Sequence, residues 1–336
     1  MSETESVPTR DDAIDAVVTW VDGNDPRHVE RKRAALHELG RRTSDVIPAG
    51  IDMTRFSDNN EIEYCIRSIR KFAPWIRTIH LITDAQCPAF LTPDEMRRLG
   101  VTLVDHRDIF SGFDDALPTF NSLSIETVLH RTPGLAERFL YFNDDFILAQ
   151  PVRPNDFFRG ESVVLRGAWH RLPAFGPIRL ALSAFFNKIA KKLLGINRAM
   201  SVLQQIRAAQ LVGMQHRYFK VAHTPYPLRR RTVEQFWARN PDAFADNVRH
   251  RFRSLSQVAT TGVANHLEIL AETADLIECD DAEMICFNRD RASAIHRKLG
   301  ELAAGRFRFF CVQSLEQARP QHRERLQGIL DWIVKS

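Results

Sequence analysis

Short apolar runs that end in clusters of Asp and Asn, alternating with stretches of helical periodicity, restrict the fold of this sequence more than any other feature. Ala13 to Val21 is mostly apolar and β-branched and is closed by the turn residues Asp22-Gly23-Asn24-Asp25-Pro26. Arg138-Phe139-Leu140-Tyr141-Phe142 is buried-strand material that breaks abruptly into Asn143-Asp144-Asp145. Between these runs, Glu61 to Phe72 places Ile62, Ile66, Ile69 and Phe72 at helical spacing, with Pro74 just past the end. His28 to Leu39 and Leu123 to Leu129 also read as helices; Ile79 to Thr83 and Val101 to Val104 read as strands. Alternation of this kind predicts an α/β sheet with helices packed on its faces and ligands at the carboxyl ends of its strands.

That placement gives the polar clusters their meaning. Asp22, Asn24 and Asp25 follow the first strand; Arg55, Asp58, Asn59 and Asn60 precede the amphipathic helix; Asn143, Asp144 and Asp145 follow a later strand. Carboxylates at a strand end are an address for a hard divalent ion such as Mg²⁺ (or Mn²⁺), which keeps waters and takes substrate phosphates. Asn and Asp also open turns in any protein. Ser57 or Asp58 serves equally as a helix N-cap, whereas an Arg beside a helix N-terminus is a seat for phosphate. Pro118-Thr119-Phe120-Asn121-Ser122 admits both readings too: a capping sequence for the following helix, or hydroxyl and amide contacts to a substrate.

The balance of 46 basic and 42 acidic residues, a net +4, argues against a nucleic-acid-binding protein and suits an anionic small substrate or an acidic membrane surface. The N-terminus has neither a basic start nor an apolar segment, so a signal peptide is not expected. No apolar run reaches the roughly 18 to 20 residues of a membrane helix. The five cysteines lack close pairing such as Cys-x-x-Cys, which suggests reduced thiols in a cytoplasmic protein.

Five segments now carry a resemblance. Asp15 to Pro26, Arg55-Phe56-Ser57-Asp58-Asn59-Asn60-Glu61, Lys71 to Ile76, Leu117 to Ser122 and Tyr141 to Phe146 resemble the first two signature regions of the Stealth family. That family comprises bacterial capsule phosphotransferases and the lysosomal-enzyme N-acetylglucosamine-1-phosphotransferase of animals. Val221-Ala222-His223-Thr224-Pro225-Tyr226-Pro227 and Arg249 to Ser254 resemble its third region, and Met284 to Asn288 its fourth. In relatives the fourth region commonly continues from Asn into acidic residues; here Arg289 intervenes before Asp290.

The resemblance implies a Rossmann-like or GT-A-like mixed sheet with flanking helices and a helical insertion. Residues 1–165 would form the nucleotide-sugar and metal-binding half, 166–217 the insertion, and 218–336 a C-terminal half that completes the site, whether or not the three parts make one continuous domain. It further implies transfer of a hexose 1-phosphate, most often an N-acetylhexosamine 1-phosphate, from a UDP-sugar donor to a hydroxyl of an oligosaccharide or polysaccharide acceptor, with release of UMP. Asp22, Asp144 and Asp145 would then hold the metal, and His223, Asp144 and Arg253 would be catalytic. Asn24, Arg55, Asp58, Asn59, Asn60, Thr119, Asn121, Asn143 and Asn288 would contact substrate. Imidazole is well poised to move a proton near neutral pH, and guanidinium offers a fork for phosphate oxygens.

Two rival functions fit parts of this pattern. A metal-dependent glycosyltransferase would use the same donor and release UDP. A non-catalytic carbohydrate-binding protein would not need carboxylates, Arg and His in separate clusters. An aspartate-nucleophile phosphatase is excluded by Asn24, which stands where such enzymes use a second Asp. Ile178 to Leu194 reads as a basic amphipathic helix able to lie on an anionic bilayer or to pack on its own protein. Helices are also expected at Ser201 to Met214, Thr232 to Ala238 and Gln317 to Val334, and a strand at Tyr218 to Ala222. Arg229-Arg230-Arg231 is a solvated face or an anionic-polysaccharide contact.

Overall fold

The computed structural model describes residues 13–39, 60–172, 199–254 and 256–335. Arg55, Ser57, Asp58, Asn59 and the Ile178 to Leu194 segment lie outside the described residues. In chain order the strands are β1 (Ile14–Thr19), β2 (Ile79–Thr83), β3 (Val101–Asp105), β4 (Arg138–Asn143), β5 (Phe146–Leu148) and β6 (Phe158–Arg159). They continue with β7 (Ser162–Arg171), β8 (Arg217–Val221), β9 (Tyr226–Arg229), β10 (Ala274–Ile277), β11 (Ala282–Cys286) and β12 (Phe309–Gln313).

The central sheet runs β3-β2-β1-β4-β9; its first four strands are parallel and β9 lies antiparallel to β4. A strand flanked on both edges and covered on both faces must be apolar throughout, and Ala16, Val17 and Val18 of β1 are fully buried. One face carries the helix Glu61–Phe72, whose Ile62, Ile66 and Ile69 pack beneath Ala16, Val18, Leu81 and Leu140. The other face packs Val17, Ile82 and Tyr141 against Ile125 and Val128 of the helix Ser122–Val128, together with Val233, Trp237 and Val263 from the later helices Arg230–Arg239 and Thr260–Leu270. This is the α/β mixed sheet with flanking helices expected from the sequence.

Two smaller sheets extend the central one. After β4 the chain turns through Asp144 and Asp145 and leaves as β5, which pairs antiparallel with β12 and through it with β11. The helices Ala292–Ala303 and Pro320–Lys335 cover that sheet with Leu299, Leu302, Leu326 and Leu330. In the third sheet β7 pairs with β6, β8 and β10. The boundary drawn at residue 165 falls inside β7, so 166–171 belong to sheet rather than to a helical insertion. The helix Ala199–Leu211 does lie in that segment, and it packs on the helix Thr260–Leu270 where Gly262 faces Ala208. No helix among the described residues is long and apolar enough to cross a membrane.

The amino end of β1 is fixed by charge. Asp15, with no exposed surface, accepts from Arg77 Nε at 2.9 Å and Nη2 at 2.5 Å, from the Ala136 N–H at 2.8 Å and lies 3.1 Å from His80 Nε2. Burial alone would raise its pKa, but the hydrogen bonds from His80, Arg77 and Ala136 prevail and hold it at about 2.

Candidate active site

Asn143, Asp144 and Asp145 sit at the junction of two sheets, because β4 ends there and β5 departs to pair with β12. The junction is pinned by the Val312 N–H donating to the Asp145 carbonyl at 3.0 Å. Asn143 Oδ1 accepts from Tyr141 Oη at 3.0 Å, and that hydroxyl lies 3.2 Å from Thr19 Oγ1 on the neighbouring strand. Asp22 and Asn24 occupy the adjoining end of β1, where Asp22 Oδ1 accepts from the Asn24 N–H at 2.8 Å and Gln86 clamps the Asp22 backbone. Asn60 takes a left-handed conformation as N-cap of the helix Glu61–Phe72.

His223 reaches the acidic turn from the connection between β8 and β9. Since β9 pairs with β4 and sets Tyr226 opposite Tyr141, the residues just before it are carried to the end of β4. The imidazole lies 3.2 Å from Tyr226 Oη and 3.3 Å from Gln313 Nε2, with the Phe146 ring edge-on at 4.6 Å between centroids. Asp145 faces it: Oδ2 accepts from the Cys311 thiol at 3.3 Å, and Oδ1 is buried with no hydrogen-bond partner among the described residues. One ligand atom each from Asp145, His223 and Cys311 falls within 4.8 Å of the others. Burial pushes the Asp145 carboxyl up, against the pull of His223, and pushes the imidazole down, against the pull of Asp145. A neutral imidazole beside a carboxylate is a proton acceptor.

Near Tyr141 and Tyr226, which stack at 6.1 Å, lies a carboxyl not expected from the sequence, whose charge adds to burial in raising the pKa of both hydroxyls. Glu126 projects from the helix Ser122–Val128 into this space; burial pushes it up to about 7, while Arg253 and Thr261 pull it down. The Arg253 guanidinium also donates to Ser122 Oγ. A single Glu in Leu123-Ser124-Ile125-Glu126-Thr127-Val128, where every neighbour is buried, was the available signal. Cys311 and Gln313 had none: they end an ordinary apolar strand 166 and 168 positions after Asp145 in sequence.

Several of the other residues expected at the site have partners within the protein. Asn121, 1% exposed, caps its helix through the Leu123 N–H, and its amide donates to Ser124 Oγ, the His250 carbonyl and Gln257 Oε1. The capping alternative is therefore the one realised, and no donor is left for a substrate. Thr119 is buried, with Oγ1 unpartnered among the described residues. Asn288 is exposed at the end of β11 and accepts from the Cys286 thiol at 3.0 Å. Asp290 accepts from the Cys286 N–H and from Lys298 Nζ, both at 3.0 Å, so its carboxylate stabilises a turn. Arg229 pairs with buried Glu268 rather than facing solvent.

Comparison with known proteins follows the same residues. Residues 12–40 match the family model for Stealth protein CR1, conserved region 1, and residues 55–165 that for Stealth protein CR2, conserved region 2. Exopolysaccharide phosphotransferase SCO6021 of Streptomyces coelicolor is 36% identical over 253 residues, covering 74% of this chain and 42% of that protein. Capsular polysaccharide phosphotransferase LcbA of Aeromonas hydrophila is 40% identical over 159 residues, covering 47% of this chain and 42% of that protein. The chain thus spans less than half the length of either relative. Among solved structures, galactosyltransferase LgtC in complex with donor and acceptor sugar analogs aligns over 94% of this chain and 95% of its own at 10% identity, with a TM-score of 0.43, too slight a likeness to carry an argument. The matched regions include the ends of β1 and β4 that build the acidic edge of the site, and on them the chain belongs to the Stealth protein family.

Proposed function

We propose that this chain is a sugar-1-phosphate transferase of capsular or exopolysaccharide synthesis. It would move an N-acetylhexosamine 1-phosphate from a UDP-sugar to a sugar hydroxyl, forming a phosphodiester and releasing UMP. The observation that carries the reading is the half-buried His223, its pKa lowered by desolvation, held against Asp145 at a strand-end acidic pair, in a family whose relatives are named phosphotransferases.

Each residue has a task in that reaction. His223 accepts the proton of the acceptor hydroxyl as it attacks phosphorus, and Tyr226 Oη and Gln313 hold the ring in place. Asp145 stabilises the imidazolium that forms. Arg253, fixed by Ser122 and by the charge of Glu126, presents its fork to phosphate oxygens. Asp144 with Asp22 would hold Mg²⁺ (or Mn²⁺), and the buried, unpartnered Oδ1 of Asp145 fits a hard cation beside them. Such an ion neutralises charge on the transferring phosphoryl group. Asn24, Asn60 and Asn143 would contact the donor, and Arg55, Asp58 and Asn59, which lie outside the described residues, keep the same expected role. All five cysteines are unpaired, which suits a reducing cytoplasmic setting.

The test is His223→Ala with the donor Kd measured beside turnover. Transfer should fall by about 10²-fold or more while donor affinity holds within about threefold. Undiminished turnover would remove the base assignment.

A further inference from the structure

We propose that Asp145, His223 and Cys311 form a second cation site, selective for thiophilic divalent ions of the Zn²⁺ class, whose occupation shuts the enzyme down. The shutdown, though not the site, rests on the assignment of His223 as the base. Three ligand types from three separate elements converge here: a carboxylate from the turn after β4, an imidazole from the connection before β9 and a thiol from β12. Their ligand atoms already lie within 4.8 Å of one another, and Cys311 Sγ is 3.3 Å from Asp145 Oδ2. Bonds of about 2.0 Å to nitrogen or oxygen and about 2.3 Å to sulfur put tetrahedral ligands roughly 3.3 to 3.5 Å apart, within reach of small side-chain rotations.

The donor set determines the ion. One sulfur, one nitrogen and one oxygen suit Zn²⁺ or Co²⁺ and do not suit Mg²⁺, which takes oxygen ligands in octahedral array. Asp145 Oδ1, buried and with no hydrogen-bond partner among the described residues, is open to either ion, and the thiol and imidazole beside it decide for Zn²⁺. Cys311 itself is fully buried, but His223 and Asp145 are each partly exposed and form the way in. On binding, the Cys311 S–H bond breaks, its proton leaves to solvent and a metal–thiolate bond forms. The imidazole lone pair that would take the acceptor's proton goes to the metal, so substrate can bind but the hydroxyl is not activated. Mg²⁺ would serve the reaction at the carboxylates while Zn²⁺ stops it at the adjoining thiol and imidazole.

Titrating the whole 336-residue chain with Co²⁺, without donor, tests the site directly. The wild type should take up one equivalent with visible d–d bands and a thiolate-to-cobalt absorption, and Mg²⁺ in millimolar excess should not displace it. Cys311→Ala should lose the thiolate absorption and His223→Ala should weaken binding by about tenfold or more. The exposed Cys87 is the control, and Cys87→Ser should leave the spectrum as it is. Absence of the thiolate band in the wild type overturns the proposal whether or not the variants fold; so does its persistence in Cys311→Ala, or displacement by Mg²⁺. Because the cobalt titration contains no donor, it is independent of the transfer assay: a cobalt spectrum in the wild type together with no UMP release in a separate incubation with Mg²⁺, UDP-sugar and acceptor would sink the transferase reading and leave the site standing. UMP release that is insensitive to bound Zn²⁺ would remove the shutdown.

Discussion

Replacing Glu126 by Gln should make the protein more stable and less active at once. Burial raises this carboxyl from its ordinary 4.5 to about 7, so the folded protein bears the cost of an ion in a poorly solvated space. The sign follows from the two pKa values. Below pH 4.5 the group is protonated in both states and costs nothing; between 4.5 and about 7 only the unfolded chain gains by ionising it, so stability falls as pH rises; above 7 the loss is complete and constant. The full gap corresponds to about 3 kcal/mol, and partial exposure of the side chain brings the expected loss to about 1–2 kcal/mol. Urea denaturation of both proteins at pH 4.5, 6 and 8 reads this as a difference: Glu126→Gln should match the wild type at pH 4.5 and exceed it by about 1–2 kcal/mol at pH 8. Turnover should fall by about tenfold or more, because Arg253 loses the charge that holds it. A stability difference that is the same at every pH would refute the burial argument.

Other outcomes follow from the framework. Asp15→Asn should cost about 3–5 kcal/mol, since it leaves Arg77 and His80 without their buried anion. In the wild type the stability from Asp15 is present above pH 4 and lost as pH falls toward 2, which acid unfolding followed by circular dichroism will register. Gly167→Ala should loosen the β7–β8 pair by about 2 kcal/mol or more, because a Cβ there would stand 2.2 Å from the Lys220 carbonyl oxygen; thermal melts report it. An unchanged melting temperature would show that the strand pair yields freely.

Segments with one strong signal could be read to the residue. Glu61–Phe72 and Ile79–Thr83 emerged as expected because periodicity, flanking residues and burial all agree there. Signals that serve two purposes could not be divided. Asn121 has the chemistry of a cap and of a substrate contact alike, and only the positions of His250 and Gln257, more than 100 residues onward, decide between them. β7 carries no continuous apolar run across Gly167 and its polar neighbours, so nothing in the sequence marks it as a strand reaching Arg171. The strand continues because that glycine lets the Lys220 backbone approach. The helix Thr260–Leu270 went unread for a similar reason: its polar start and Gly262 weaken the pattern, while Gly262 is what lets Ala208 pack close. The acidic half of the site was legible at strand ends, whereas Cys311 and Gln313 reach it only through the pairing of β12 with β5.

The central claim is that the bond broken lies at phosphorus and not at the sugar carbon. Incubating the purified chain with Mg²⁺, a panel of UDP-sugars and a saccharide acceptor, and identifying the nucleotide released, decides it. UMP together with a phosphodiester-linked product is the result predicted; UDP together with a simple glycoside would contradict the account.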